Sequence, residues 1–197
     1  MSFISHEPWI GKCIQDSMDC LARLQDLKPA IARAIDLLNR TLAHDRKVLT
    51  AGNGGSAAEA MHMAEELIGR FRDDRRSLPS VALNADGTTL TCIGNDYGFD
   101  AIFSRQVEGL GRADDLLVLF STSGQARNLT RALEAARRRN LRVLTILGRD
   151  GGALAGRGDL ELIVPGQATE RIQEAHQLLL HILLEGVERC FGPSGPG

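Results

Sequence analysis

Hydrophobic positions change their period part-way along this chain. From residue 9 to residue 44 they recur at helical spacing. Ile10, Cys13, Ile14, Met18, Leu21 and Leu24 form one stripe, and Ile31, Ile35, Leu38 and Leu42 form a second. Pro29 falls between them and divides the stretch into two helices. The first stripe precedes everything else and needs cover, either from the core or from another subunit.

Beyond Lys47 the pattern alternates. Short apolar runs predict strands at 47–51, 80–84, 115–121, 142–147 and 160–164. Helical patterns fall between and after them, at 56–70, 99–110, 126–139, 152–156 and 170–190. Such alternation predicts an α/β fold, a parallel sheet with helices on both faces. Gly94-Asn95-Asp96-Tyr97 reads as a turn, with Asp96 placed to cap the next helix. Arg72 to Arg76 reads as a solvated charged loop. The tail from Gly192 to Gly197 is turn-rich and expected to be disordered.

A length of 197 residues fits one domain with a real core. The net charge of −2 gives no basis for general nucleic-acid or membrane affinity. No apolar run is long enough to span a bilayer and no secretory signal is seen, so the cytoplasm is the expected location. Cys13, Cys20, Cys92 and Cys190 are scattered, without C-x-x-C pairs, and are expected to be free thiols.

The chemistry concentrates after the first strand. Val48-Leu49-Thr50-Ala51 runs into Gly52-Asn53-Gly54-Gly55-Ser56, which opens a helix. Glycines let backbone approach a ligand, and the free N–H groups and dipole of a helix start favour an anion. The loop lacks the G-x-G-x-x-G spacing of dinucleotide sites and the Gly-Lys-Ser/Thr of nucleotide-phosphate loops. A second strand, 115–120, ends in Ser121-Thr122-Ser123-Gly124 before another helix, which repeats the logic with hydroxyls. On the first helix, His62 and Glu66 are four residues apart, about 40° around the axis, and share a face. Glu65 points about 100° away, toward solvent. The same spacing also suits a plain surface pair. In the last helix, Gln173, Gln177 and His181 form a polar line among leucines. His181, between Leu180 and Ile182, is expected to be buried, and His176 faces elsewhere.

Taken together, Gly52–Ser56, Met61-His62 with Glu65-Glu66, Gly94-Asn95-Asp96, Ser121–Gly124, Gly148 with Asp150-Gly-Gly152, and Arg171–Glu174 with His181 resemble the bacterial phosphoheptose isomerases. These are single sugar-isomerase (SIS) domains, and the resemblance runs from about residue 10 to 191. It implies one domain over residues 1–191 with an N-terminal helical extension, built on a five-stranded parallel sheet. It implies a homotetramer with active sites at subunit interfaces. The implied reaction converts sedoheptulose 7-phosphate to D-glycero-D-manno-heptose 7-phosphate, for lipopolysaccharide or other glycans. On the matching positions, Ser56, Ser121, Thr122 and Ser123 hold the phosphate. Asn53, Gly54, Gly55, Asn95 and Asp96 line the sugar site, where Glu66 and Gln173 also meet the substrate. Glu66 is the base and His181 the acid. Zn²⁺, one per subunit, is implied at His62, Glu66, Gln173 and His181.

That ligand set meets a geometric obstacle. Gln173 and His181 lie about 12 Å apart along an ideal helix, whereas ligands of one ion sit within roughly 4 Å of each other. Either the helix bends at its start or the two groups come from different subunits, and the interface explanation is favoured. One departure from the family pattern is Ala126, where a further phosphate hydroxyl often stands, with Arg127 beside it. Two alternatives use the same fold. One is a non-catalytic tetrameric regulator that binds the replication initiator protein and lacks the groups matching Glu66 and His181. The other is a SIS isomerase or sensor for a different phosphosugar.

Overall fold

The computed structural model describes residues 6–193. Two helices lead in. Helix α1 (Glu7–Ala22) passes through a 3₁₀ turn (Arg23–Leu27) into α2 (Lys28–Ala43). The break therefore lies before Pro29, which sits in the first turn of α2. There its missing N–H costs no hydrogen bond.

The rest is strand and helix in alternation: β1 (Val48–Gly52), α3 (Gly55–Ile68), β2 (Ser80–Ala82), α4 (Gly87–Tyr97), α5 (Ser104–Leu110), β3 (Leu116–Ser121), α6 (Arg127–Arg138), β4 (Arg142–Gly148), β5 (Leu160–Val164) and α7 (Thr169–Phe191). All strand pairs are parallel, in the order β2-β1-β3-β4-β5. The α/β class and the five-stranded sheet match the sequence reading.

Every residue of β1 and β3 is buried, because helices cover both sheet faces. The side chains still alternate. Val48, Leu116, Val118 and Phe120 enter a core shared with α1, α2, α3 and α7. Leu49, Ala51, Leu117 and Leu119 enter a second core with α4, α5 and α6. The chain leaves β1 toward β2 on one side and leaves β3 toward β4 on the other. The order thus reverses between β1 and β3, where a doubly wound sheet opens a crevice at the carboxyl ends of its strands.

Some boundaries differ from the sequence reading. The apparent turn at Gly94–Tyr97 is the last turn of α4, whose N-cap is Asp86. That carboxylate accepts from the backbone N–H groups of Thr88 and Thr89. Asp96 therefore caps nothing. Residues 99–110 hold a 3₁₀ turn at Phe99–Ala101 before the short α5, and Gly152–Leu154 is a single 3₁₀ turn. Strand β2 stops at Ala82. Of the tail, residues 194–197 lie outside the described range. On α1, Ile10, Ile14 and Met18 face outward, at 43%, 57% and 57% exposure, while Cys20, and Leu24 in the 3₁₀ turn that follows, turn into the core. No helix among the described residues is long and apolar enough to cross a membrane.

Candidate active site

Two loops meet at the switch point. Strand β1 ends at Gly52, which Asn84 holds from the side: its amide nitrogen donates to the Gly52 carbonyl at 2.7 Å, and its oxygen accepts from the Gly52 N–H at 3.3 Å. Gly54 turns the chain with φ of 58°, Gly55 opens α3, and Ser56 is buried behind it. The first backbone N–H groups of α3 thus start at the mouth of the crevice, a favourable place for an anion.

Strand β3 ends at Ser121, whose hydroxyl accepts from the Gly124 N–H at 2.9 Å. Ser123 accepts from the Gln125 N–H at 3.3 Å. Gly124 adopts φ of +61°, and a Cβ there would lie 1.9 Å from the Gly151 carbonyl oxygen. No L side chain fits both restraints. The two loops are joined by Asn53 and Asn128, each amide nitrogen donating to the other's oxygen at 2.9 Å. Asn128, buried in the first turn of α6, was not singled out from sequence. The polar side chain after a hydroxyl-rich loop was its only signal.

The second group lies further along α3. His62 Nε2 is 3.3 Å from Glu66 Oε1 and 3.9 Å from Glu65 Oε1. Glu66 is sheltered at 18% side-chain exposure and Glu65 is open at 68%, as the helical phase predicts. Helix α7 brings in Gln177 and His181. The Gln177 amide nitrogen is 2.8 Å from His62 Nδ1 and 2.9 Å from His181 Nε2, and the two rings meet edge-on at 5.3 Å. Burial pushes His181 below the ordinary histidine pKa, His62 beside it adds to the depression, and Glu66 opposes it.

Arg75 fixes the end of this helix. It donates to the Glu66 carbonyl at 2.6 Å and the Leu67 carbonyl at 3.0 Å, and its Nε lies 3.7 Å from Glu188. Its side chain is 1% exposed, so Arg75 is not part of a solvated loop as its charged neighbourhood suggested. Carbonyls at a helix C-terminus attract a cation, which accounts for a buried guanidinium here.

One sequence expectation falls differently, and the structure places three other predicted residues. His176, not His181, is the fully buried histidine, packed 3.6 Å from the Glu59 carboxylate; His181 is only partly covered. Gln173 does not reach His181, because α7 runs unbroken from Thr169 to Phe191. Its amide lies over Gly55 instead, where a Cβ would come within 2.0 Å of Nε2. Asn95 and Asp96 are exposed at the end of α4, and among the described residues Asn95 donates to Asp96 at 2.8 Å.

Ligand atoms of His62, Glu65 and Glu66 lie within 4.8 Å of one another. Imidazole and carboxylate donors converging in this way can hold a divalent cation, and such mixed N/O donors suit zinc. Of the set that the resemblance implies, His62 and Glu66 stand together in this group, with Glu65 rather than Gln173 or His181 as the third donor.

Comparison with known proteins bears on these loops and helices as a whole. The SIS domain family profile matches residues 14–148. The chain is similar to a phosphoheptose isomerase of Geobacter sulfurreducens, 51% identical over 169 residues, covering 86% of this chain and 89% of the relative. Among solved structures, a phosphoheptose isomerase from Neisseria gonorrhoeae matches with a TM-score of 0.88 and 40% identity, over 93% of this chain and 99% of that one. One from Francisella tularensis also reaches 0.88, at 34% identity, over 94% and 100%.

Proposed function

This chain belongs to the phosphoheptose isomerases of the SIS-domain family, and on that footing we propose that it converts sedoheptulose 7-phosphate to D-glycero-D-manno-heptose 7-phosphate. The observation that carries the reading is the meeting, at the switch point, of the loops after β1 and β3 with a carboxylate–imidazole group on the helix that the first loop opens. The product would supply heptose to lipopolysaccharide or another glycan. The regulator alternative is not favoured: that relative lacks counterparts of Glu66 and His181, and both are present here.

Ketose-to-aldose conversion moves a proton from C1 to C2 through an enediol. Glu66, with one oxygen held by His62, is the base that takes the C1 proton and returns it at C2. His181, whose pKa burial and the neighbouring His62 lower, exchanges protons with the oxygens on C1 and C2. Ser56, Ser121, Thr122 and Ser123 bind the phosphate and fix the far end of the sugar. Asn53, Gly54, Gly55, Asn95, Asp96 and Gln173 line the sugar between these ends.

His62, Glu66 and His181 would hold Zn²⁺, one per subunit, with Gln173 reaching the ion from a neighbouring subunit. When bound, the ion supplies polarisation of the substrate carbonyl. The assembly proposed is a homotetramer with sites at its interfaces. Two observations support it: the exposed Ile10–Ile14–Met18 stripe, and the impossibility of Gln173 and His181 on one continuous helix sharing an ion.

The test is turnover of sedoheptulose 7-phosphate by the purified chain, with and without a chelator. Appearance of the aldose is expected, and its absence with and without added zinc would overturn the reading.

A further inference from the structure

Gln177 stands between two imidazoles that the mechanism uses, and nothing above gives it a part. Its amide nitrogen faces His62 Nδ1 at 2.8 Å and His181 Nε2 at 2.9 Å. An amide NH₂ has two donors and serves both ring nitrogens at once. Each of those nitrogens then presents a lone pair, and each neutral ring carries its proton on the other nitrogen. For His62 that proton sits on Nε2, facing Glu66 Oε1 at 3.3 Å and Glu65 Oε1 at 3.9 Å. In this arrangement His62 donates to the carboxylates, and its Nε2 is closed to a cation.

Turning the amide by half a rotation places Oε1 where Nε2 stood. An amide oxygen has two lone pairs and accepts from both rings. The His62 proton then moves to Nδ1 and the His181 proton to Nε2. The proton count is the same in both states, because each ring keeps one. His62 Nε2 is now a lone pair among two carboxylates, and a metal-bound imidazole characteristically donates its other N–H to an acceptor.

We propose that Gln177 is a positioning residue whose amide orientation selects the His62 and His181 tautomers, and thereby opens or closes His62 Nε2, beside Glu66, to a divalent cation. The proposal rests on the metal reading of the preceding subsection. It gives Gln177 a role separate from that of Gln173, whose amide lies over Gly55 at the other end of α3.

The experiment uses the full chain in three forms: wild type, Gln177→Leu, which removes donor and acceptor, and Gln177→Glu, which leaves only acceptors. Long-range ¹H–¹⁵N spectra of the metal-free proteins report the tautomer of His62. Competition with a chromogenic chelator reports Zn²⁺ affinity, and circular dichroism reports folding. Wild type is expected to show the Nε2–H tautomer without metal and Nδ1–H with zinc. Gln177→Glu is expected to show Nδ1–H without metal. Gln177→Leu should remain folded and bind zinc about 10- to 100-fold more weakly. The same His62 tautomer in all three metal-free proteins, or wild-type zinc affinity in Gln177→Leu, would overturn the proposal. Wild type that binds no zinc would overturn the metal reading instead, and the contrast between wild type and Gln177→Glu would still decide what Gln177 does to His62.

Discussion

Asn53 and Asn128 exchange two side-chain hydrogen bonds of 2.9 Å across the switch point, and so tie the loop after β1 to the helix after β3. The pair fixes the spacing of the two loops proposed to bind the phosphate, which come from separate parts of the chain.

Asn128→Ala breaks that tie and leaves the Asn53 amide without its partner, at a cost of about 1–3 kcal/mol. Asn128 holds the loops without being assigned to the substrate, so the loss should fall on phosphate binding. KM for the sugar phosphate is expected to rise about tenfold, equivalent to about 1.4 kcal/mol, with kcat changed less. Steady-state kinetics check this, and an unchanged KM would remove the role given to the pair.

Glu66→Gln keeps the size of the side chain and removes the proposed base. Its backbone carbonyl is still held by Arg75 and its neighbours on α3 are still buried, so the fold should persist. Turnover is expected to fall by about 10²–10⁴. Deuterium from solvent should no longer enter the sugar, because no proton is abstracted. A variant with near wild-type turnover would show that another group takes the proton.

Gly124→Ala is expected to be the more damaging of two glycine substitutions. The residue sits at φ of +61°, which costs an L side chain about 1–2 kcal/mol, and its Cβ would strike the backbone oxygen of Gly151. Gly55→Ala meets only the Gln173 amide, the far end of a flexible side chain that can swing away. Thermal melts should therefore drop clearly for Gly124→Ala and little for Gly55→Ala. The latter should lose activity through displacement of Gln173. Equal melting temperatures in both variants would contradict this account of the loop.

The sequence carried the fold because the burial of this sheet is simple. Leu116 to Ser121 is covered on both faces and reads as one apolar run, and α6 opposes buried Leu129, Ala132, Leu133 and Ala136 to an arginine-rich face. The turn read at Gly94 was misplaced because glycine and Asn-Asp are local breakers, whereas packing of Ile93 and the Asp86 cap extend α4 past them. Glu66 and His62 were legible because helical phase alone puts them together. Asn128, Arg75 and Gln177 were not given roles in the site, because each one's contribution depends on a partner 9 to 115 positions away in the chain.

His181 gives the site a pH dependence of stability. Burial and His62 depress its pKa in the folded protein, so the fold binds fewer protons than the unfolded chain below the ordinary histidine value of 6.5. The contribution is fully present above pH 6.5 and is lost as pH falls from there through the folded value. Below that value the loss levels off. Urea midpoints of the metal-free wild type should therefore fall relative to His181→Gln between pH 8 and pH 5. A constant difference over that range would mean that His181 titrates alike in both states.

The stripe of Ile10, Ile14 and Met18 on α1 is an apolar face that one subunit leaves uncovered. These positions recur every four residues, point away from the core that holds Cys20 and Leu24, and are each more than two-fifths exposed. An apolar face of this kind on a helix packed beside α7 places any second copy close to the helix that carries Gln177 and His181. Ile14→Asp puts a charge at its centre and touches nothing in the core. Light scattering behind size exclusion is expected to show a tetramer for wild type and smaller species for the variant. Activity should fall with assembly, since on the proposed reading Gln173 then has no neighbouring site to reach. A fully active Ile14→Asp monomer would place the whole site within one chain and leave the stripe without a part in catalysis.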